Sequence, residues 1–348
     1  MEVNLGKIPF DLDFHPSSSL VAAGLITGDL HLYRYAEDSL PQRFLNCNAH
    51  EESCRAVRFV DSGRIIATAS RDCSILATDV ETGNTITRLV DAHGTALSRL
   101  INLTDTTFCT ADDDGCIKVW DTRHHACCNT FNAHAEYVSD MCFVSDSMQL
   151  LGTSGDGTLS VCNLRKNKVQ SRSEFSEDEL LSIVIMKNGR KVVCGTQTGA
   201  LLLYSWGYFQ DWSDCFRGPS TSIDALLKLD EDTLISGSED GVIRLMGILP
   251  NRIIQPIAEH SEYPVERLAF SHDRKFLGSI SHDQMLKLWN LEELLGSDQN
   301  ASKSQLAAVE SDDDGMDVDI KASSSSKGSK PKAGQASNAS TSNFLADL

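Results

Sequence analysis

A hydroxyl, an imidazole and a carboxylate recur in this chain at fixed offsets. His93, Thr110, Asp114 and Trp120 form one set, and His260, Ser279, Asp283 and Trp289 form another. In each set the hydroxyl stands four residues before the Asp and the Trp six after it. His50, Thr68 and Asp72 repeat the pattern without the Trp, and His134 with Asp156 is a remnant. Brought together once, such residues could run acyl transfer, with the hydroxyl as nucleophile, the imidazole as base and the carboxylate holding the ring. The repetition argues for other chemistry. A catalytic centre needs one set converging on one pocket, whereas these sets sit inside separate repeats. The reading that fits is a relay within each repeat, in which indole N–H, hydroxyl, imidazole and carboxylate satisfy one another's buried hydrogen-bonding needs. No catalytic residue is expected. The chain also lacks a Gly-x-Gly-x-x-Gly helix start, a phosphate-binding loop ending in Lys-Ser/Thr, and a His-Glu-x-x-His. Neither Cys-x-x-Cys nor a Cys/His ligand spacing is present, so neither metal nor cofactor is expected. The 11 cysteines read as small buried hydrophobes. His124 and His125 read as solvated loop residues.

The elements that must position these sets follow a metronome. Each Asp lies in a turn flanked by alternating apolar strands, and the turn positions Thr27, Asp72, Asp114, Asp156, Thr198, Asp240 and Asp283 are separated by 45, 42, 42, 42, 42 and 43 residues. A period near 42 built from four short strands is the signature of a β-propeller with one blade per repeat. The expected fold is therefore all-β, a seven-bladed propeller over residues 1–296, followed by a disordered tail over 297–348. The second strand of each repeat, such as IIATAS at 65–70, is apolar but small and suits the crowded zone near the axis. The last repeat lacks an obvious outer strand. Glu2 to Leu5 is the expected substitute, with Lys303 to Val309 as the competitor. Two atypical stretches stand out. WGYFQDWSDCF (206–216) reads as an outer strand with inter-blade packing, or alternatively as an exposed aromatic anchor. MGILPNRIIQPIAEH (246–260) carries two prolines tolerable only in an edge strand.

Charge narrows the partners. The net charge is −18, and the tail from Ser297 contributes eight acids and five lysines, which leaves −15 on the propeller. Such a surface repels phosphate backbones, so proteins rather than nucleic acid are the expected partners. No apolar run of about 18 residues could span a bilayer, and the N-terminus has neither the basic nor the apolar segment of a secretory signal. A soluble intracellular chain is expected. In the tail, Ser311 ahead of three aspartates reads as an acid-directed phosphorylation site.

With the period, the His-to-Asp spacing and IKVWD in view, the chain resembles the WD-repeat propeller family. The segments SEDGVIRLMGILPNRIIQPIAEH, PVERLAFSHDRKFLGSISHDQMLKLWNLEELL and DCFRGPSTSIDALL are similar to one branch of it. That resemblance implies a nuclear and nucleolar protein linked to ribosomal RNA production and ribosome assembly. A second resemblance covers FCTADDDGCIKVWDTR (108–123), which is similar to the box of proteins that dock on the damaged-DNA-binding adaptor of cullin-4 RING ubiquitin ligases. It matches at Phe108, Cys109, Thr110, Ala111, Asp114, Ile117, Val119, Trp120, Asp121 and Arg123, while Asp112 stands where a small residue is usual. This resemblance implies a substrate receptor that meets the adaptor through Trp120, Asp121 and Arg123. Because the relay occupies Trp120 and Asp114, Arg123 is expected to be the free group at the rim. The alternative is a ribosome-assembly scaffold without a ligase role, holding pre-ribosomal proteins.

Overall fold

In a computed structural model, residues 1–124, 126–218 and 221–296 are described. They form seven four-stranded antiparallel sheets. Six are uninterrupted meanders, and the third is typical, with strands Leu97–Thr104, Thr107–Asp112, Cys116–Asp121 and Ala126–Asn132 running from the axis outward. The seventh is completed from the other end of the chain: Glu2–Asn4 pairs with Met285–Asn290, placing Val3 opposite Leu286. The backbone N–H of Leu5 extends the lock by donating to the Gln284 carbonyl at 2.9 Å. Ring closure thus joins chain start to last blade, as Glu2 to Leu5 suggested. Lys303 to Val309, Ser311, the expected disordered tail and His125 lie outside the described residues.

The core is a series of inter-blade layers, because each sheet is apolar on both faces near the axis and must be covered by its neighbours. One layer joins blades three and four through Cys109, Ile117, Val119, Phe131, Val138 and Leu150. The second strands IIATAS, TFCTAD, QLLGTS and FLGSIS are buried almost throughout, as their small residues allow. Every inner strand carries a register shift at the same place, between residue pairs such as Leu97/Arg99, Val138/Asp140 and Val265/Arg267. This bulge re-aims the following side chain.

Several details depart from expectation. Cys54, Cys109, Cys162 and Cys194 are buried, but Cys127, Cys128 and Cys215 are exposed, because they sit on outer strands that no further layer covers. Within 206–216 only Asp214–Arg217 begins a strand; the residues before it form a loop. Phe209 turns into the core and meets Trp206 edge-on at 5.4 Å, while Tyr208 is 79% exposed. The prolines of 246–260 divide between a turn (Pro250) and the outer strand Arg252–Glu259 (Pro256). A short helix, Leu291–Gly296, follows the last strand. No helix among the described residues is long and apolar enough to cross a membrane.

Candidate functional site

The relays are built where the second and third strands of a blade meet the connection arriving from the previous blade. In blade seven, His260 Nδ1 lies 2.8 Å from Asp283 Oδ2 and Nε2 lies 2.7 Å from Ser279 Oγ. The Trp289 indole donates to the same hydroxyl at 2.8 Å. The ionised Asp accepts from Nδ1–H, which leaves Nε2 to accept the Ser proton and the Ser oxygen to accept from the indole. Blade three repeats this arm: His93 Nε2 to Thr110 Oγ1 at 2.7 Å, and Trp120 Nε1 to Thr110 Oγ1 at 2.8 Å. His93 and Thr110 are buried, and the hydroxyl is engaged on both sides. No nucleophile is presented to a substrate here, and the relay is a tether between blades.

The carboxylate of blade three corrects the sequence reading. Asp112, not Asp114, meets His93 Nδ1, at 2.7 Å, while Asp114 is exposed. The reason lies in the turn. Other blades place Ser70, Ser154 or Ser281 at the end of the second strand, and the Asp two residues later reaches the imidazole. In blade three the strand ends in Asp112 itself. Its Oδ2 takes the imidazole while Oδ1 accepts the N–H groups of Asp114 and Cys116 at 3.1 and 2.8 Å. The residue that departs from the docking box is thus the relay's own acid.

Other blades fill the same corner differently. Blade two has His50 between Asp72 (3.1 Å) and Thr68 (2.8 Å). In blade four His134 meets Asp156 and Thr158, but Gly152 stands where the inner hydroxyl belongs and His134 Nε2 has no partner. Blade five reverses the polarity, with Thr198 of the turn donating to Asp178 of the incoming connection. Blade six replaces the imidazole by Arg244, which holds Asp240.

The expected docking triplet separates on the structure. Trp120 is buried within the relay. Asp121 is buried too, and it grips Arg123: Nη2 to Oδ2 at 2.7 Å, Nε to Oδ1 at 3.1 Å, and the Arg123 backbone N–H to Oδ1 at 2.8 Å. Arg123 is therefore not free, as expected from sequence, but clamped. Its side chain nonetheless remains 62% exposed. The side-chain and backbone hydrogen bonds from Arg123 hold the Asp121 carboxyl well below its ordinary range. His124 also reaches Asp121, at 3.2 Å. The matching turn of blade four presents exposed Arg165, Lys166 and Lys168, so basic residues outnumber the exposed Asp105 and Asp146 of the adjoining turns at this edge. Beside it a cavity of about 80 Å³, lined by Ile65, Ile75, Ile86, Leu89, Phe108 and Trp120, opens between blades two and three.

The sequence reading missed the charges at the axis. Arg267 of blade seven reaches Asp140 of blade four at 3.1 Å and Asp11 of blade one at 3.4 Å. Blades four and seven are not neighbours, so this guanidinium crosses the channel. Arg58 of blade two pairs with Asp11 at 2.6 Å. Burial works against the charge of Arg267, but Asp140 and Asp11 outweigh it and raise its pKa. Arg99 is pushed down to about 10 by burial and by repulsion from Arg267. Lining up the repeats would have found the signal, since Asp11, Arg99, Asp140 and Arg267 all follow the inner-strand bulge.

Seven four-stranded blades, with a full His–hydroxyl–Trp relay in blades three and seven and Trp-Asp closing the third strand of blade three, define a WD-repeat propeller, a scaffold architecture. The comparisons narrow this. The WDR55 family model matches residues 1–294. The chain is 64% identical over 313 residues to WD repeat-containing protein 55 of Arabidopsis thaliana, covering 89% of this chain and 88% of that one. It is 37% identical over 284 residues to WD repeat-containing protein 55 of Homo sapiens (81% and 74% covered). The Dictyostelium discoideum homolog is 37% identical over 298 residues (86% and 72%). This chain belongs to the WDR55 family.

Proposed function

We propose that this propeller is a substrate receptor that docks on the damaged-DNA-binding adaptor of a cullin-4 RING ubiquitin ligase through the outer turn of blade three. One observation carries the reading: Arg123 is held in place by a buried carboxylate while its guanidinium faces solvent. A guanidinium whose rotamer is already fixed loses less entropy on pairing with a partner's carboxylate. Arg165, Lys166 and Lys168 extend the cationic edge toward an acidic partner. Trp120 supports the turn from behind and does not itself reach a partner. The test is affinity purification of wild type beside Arg123→Ala from nuclear extract. The adaptor is expected to disappear from the variant while its melting temperature stays unchanged; adaptor recovered equally from both would sink the assignment.

A second reading, a nucleolar ribosome-assembly scaffold, is favoured by the opposite face. The connections there expose Glu51, Glu52, Asp91, Asp114, Glu136 and Glu177, and Arg71 and Lys7 are exposed on the same face. Such a field attracts Lys/Arg-rich proteins, the chemistry of pre-ribosomal partners. Acute depletion followed by rescue separates the two readings. Defective pre-rRNA processing rescued by Arg123→Ala supports assembly without the ligase; failure of that variant to rescue ties the two activities together.

A further inference from the structure

We propose that blade three carries a zinc-binding site formed by His93 Nδ1, the Asp112 carboxylate and Cys116 Sγ. These donor atoms all lie within 4.8 Å of one another. They come from three pieces of chain: the connection entering the blade, the end of its second strand and the start of its third. The site is specific to this blade. The residue that follows the turn is Ser74 in blade two and Thr158 in blade four, and each hydroxyl sits 3.1 or 3.0 Å from its imidazole Nδ1. Blade three puts a thiol there. The same blade also exchanges the strand-ending Ser for Asp112. Two substitutions at one corner thus put a thiol where blades two and four have a hydroxyl, and bring the carboxylate from the strand end rather than from the turn, beside an imidazole already oriented by Thr110.

Nitrogen, sulfur and oxygen donors together select zinc over the oxygen-seeking calcium and magnesium. Zn–N and Zn–O distances near 2.0 Å and Zn–S near 2.3 Å place tetrahedral donors roughly 3.3–3.8 Å apart. The His93–Asp112 pair at 2.7 Å has to open slightly and Cys116 to close on it. On binding, the thiol releases its proton to solvent. The imidazole proton moves from Nδ1 to Nε2, so the ring stays neutral, and the bond to Thr110 reverses: its oxygen accepts from both Nε2 and the Trp120 indole, and its own proton turns away from the ring. Three protein ligands leave a fourth position for water. Of the three donors Cys116 is half-buried, while His93 and Asp112 are buried.

The test uses cobalt(II) as the probe on the full chain, followed by zinc competition. Wild type is expected to bind one cobalt per chain with a thiolate-to-metal charge-transfer band that zinc abolishes. Cys116→Ser, which copies blade two, and Asp112→Ser, which copies blades two and four and returns His93 to Asp114, should both fold. Both should bind at least tenfold more weakly, and Cys116→Ser should lose the band. A variant with Cys127, Cys128 and Cys215 all changed to Ser should keep it. In parallel, zinc should raise the melting temperature of wild type and not of Cys116→Ser. No band in wild type, a band surviving in Cys116→Ser, or its loss in the exposed-thiol control overturns the site.

Discussion

Thr110 shows how one atom can hold two elements. Its hydroxyl receives the Trp120 indole and serves His93, so it joins the third strand of the blade to the connection from blade two. Val has nearly the same shape without the hydroxyl. Thr110→Val should therefore leave the packing intact and strand two buried polar groups, at about 1–3 kcal/mol each. A loss of roughly 2–6 kcal/mol in urea denaturation is the expected result, and a loss under about 0.5 kcal/mol would show that the relay is idle. Thr110 was legible in the sequence because its offset to Trp120 repeats as Ser279 to Trp289. The acid was not. Offsets counted from an Asp-Gly turn select Asp114, and nothing in DDD says which carboxylate the backbone aims inward. That depends on Asp112 closing the strand, where its Oδ1 also accepts two backbone N–H groups and leaves Oδ2 for the imidazole. Arg123 illustrates the same limit: its exposure was readable, but its clamp by Asp121, two residues away, depends on the conformation of the turn.

At the scale of the blade, the ring tolerates unequal repeats because each sheet is covered by two neighbours, so a corner can lose a relay member without exposing the core. Blade four is the clearest case. Gly152 and Cys162 take the places held in blade three by Thr110 and Trp120, and His134 Nε2 is left without a partner. Gly152 needs no glycine backbone. A Cβ there would meet Ser160 Oγ at 3.3 Å, with His134 Nε2 and Ile117 Cδ1 both at 3.4 Å, all ends of side chains that can shift. Gly152→Ser supplies the missing hydroxyl and also reduces the freedom of the unfolded chain. It should stabilise the protein by about 0.5–1.5 kcal/mol; a drop in the urea midpoint would mean that crowding wins over the new hydrogen bond. The blades themselves were legible because their turns keep time at 42 residues. The loop at 206–213 was not, since aromatic residues favour strands and inter-blade packing equally, and only the surroundings of Phe209 decide.

For the whole molecule, what the sequence concealed is the axis. Arg267 and Asp140 are 127 residues apart, and no local pattern announces that they meet. Seven inner strands converge on a channel, and the bulge in each re-aims one residue. The resulting network ties blades one, two, four and seven together independently of the strand that closes the ring at Glu2–Asn4. Such a network has an acid-side signature. Asp13 lies within it, accepting the Phe59 N–H at 2.8 Å, and burial pushes its carboxyl up to about 6 against the pull of Arg58. Between about pH 4 and pH 6 the folded chain therefore holds a proton on Asp13 that the unfolded chain has released. Stability from this group is greatest below that window and falls as the pH rises through it, the reverse of an ordinary salt-bridged carboxylate. Asp224, also raised to about 6 by burial, adds in the same direction. His50 and His260, lowered by burial, act oppositely and weaken the fold as the pH drops below 6.5. Asp13→Asn keeps an acceptor for Phe59 and removes only the titration, while Asp224 and the histidines remain in both proteins. The stability difference, variant minus wild type, should therefore grow from pH 4 to pH 6 and stay constant above. Urea midpoints measured across that range test it, and a difference independent of pH would place the Asp13 carboxyl at its ordinary value in the folded ring.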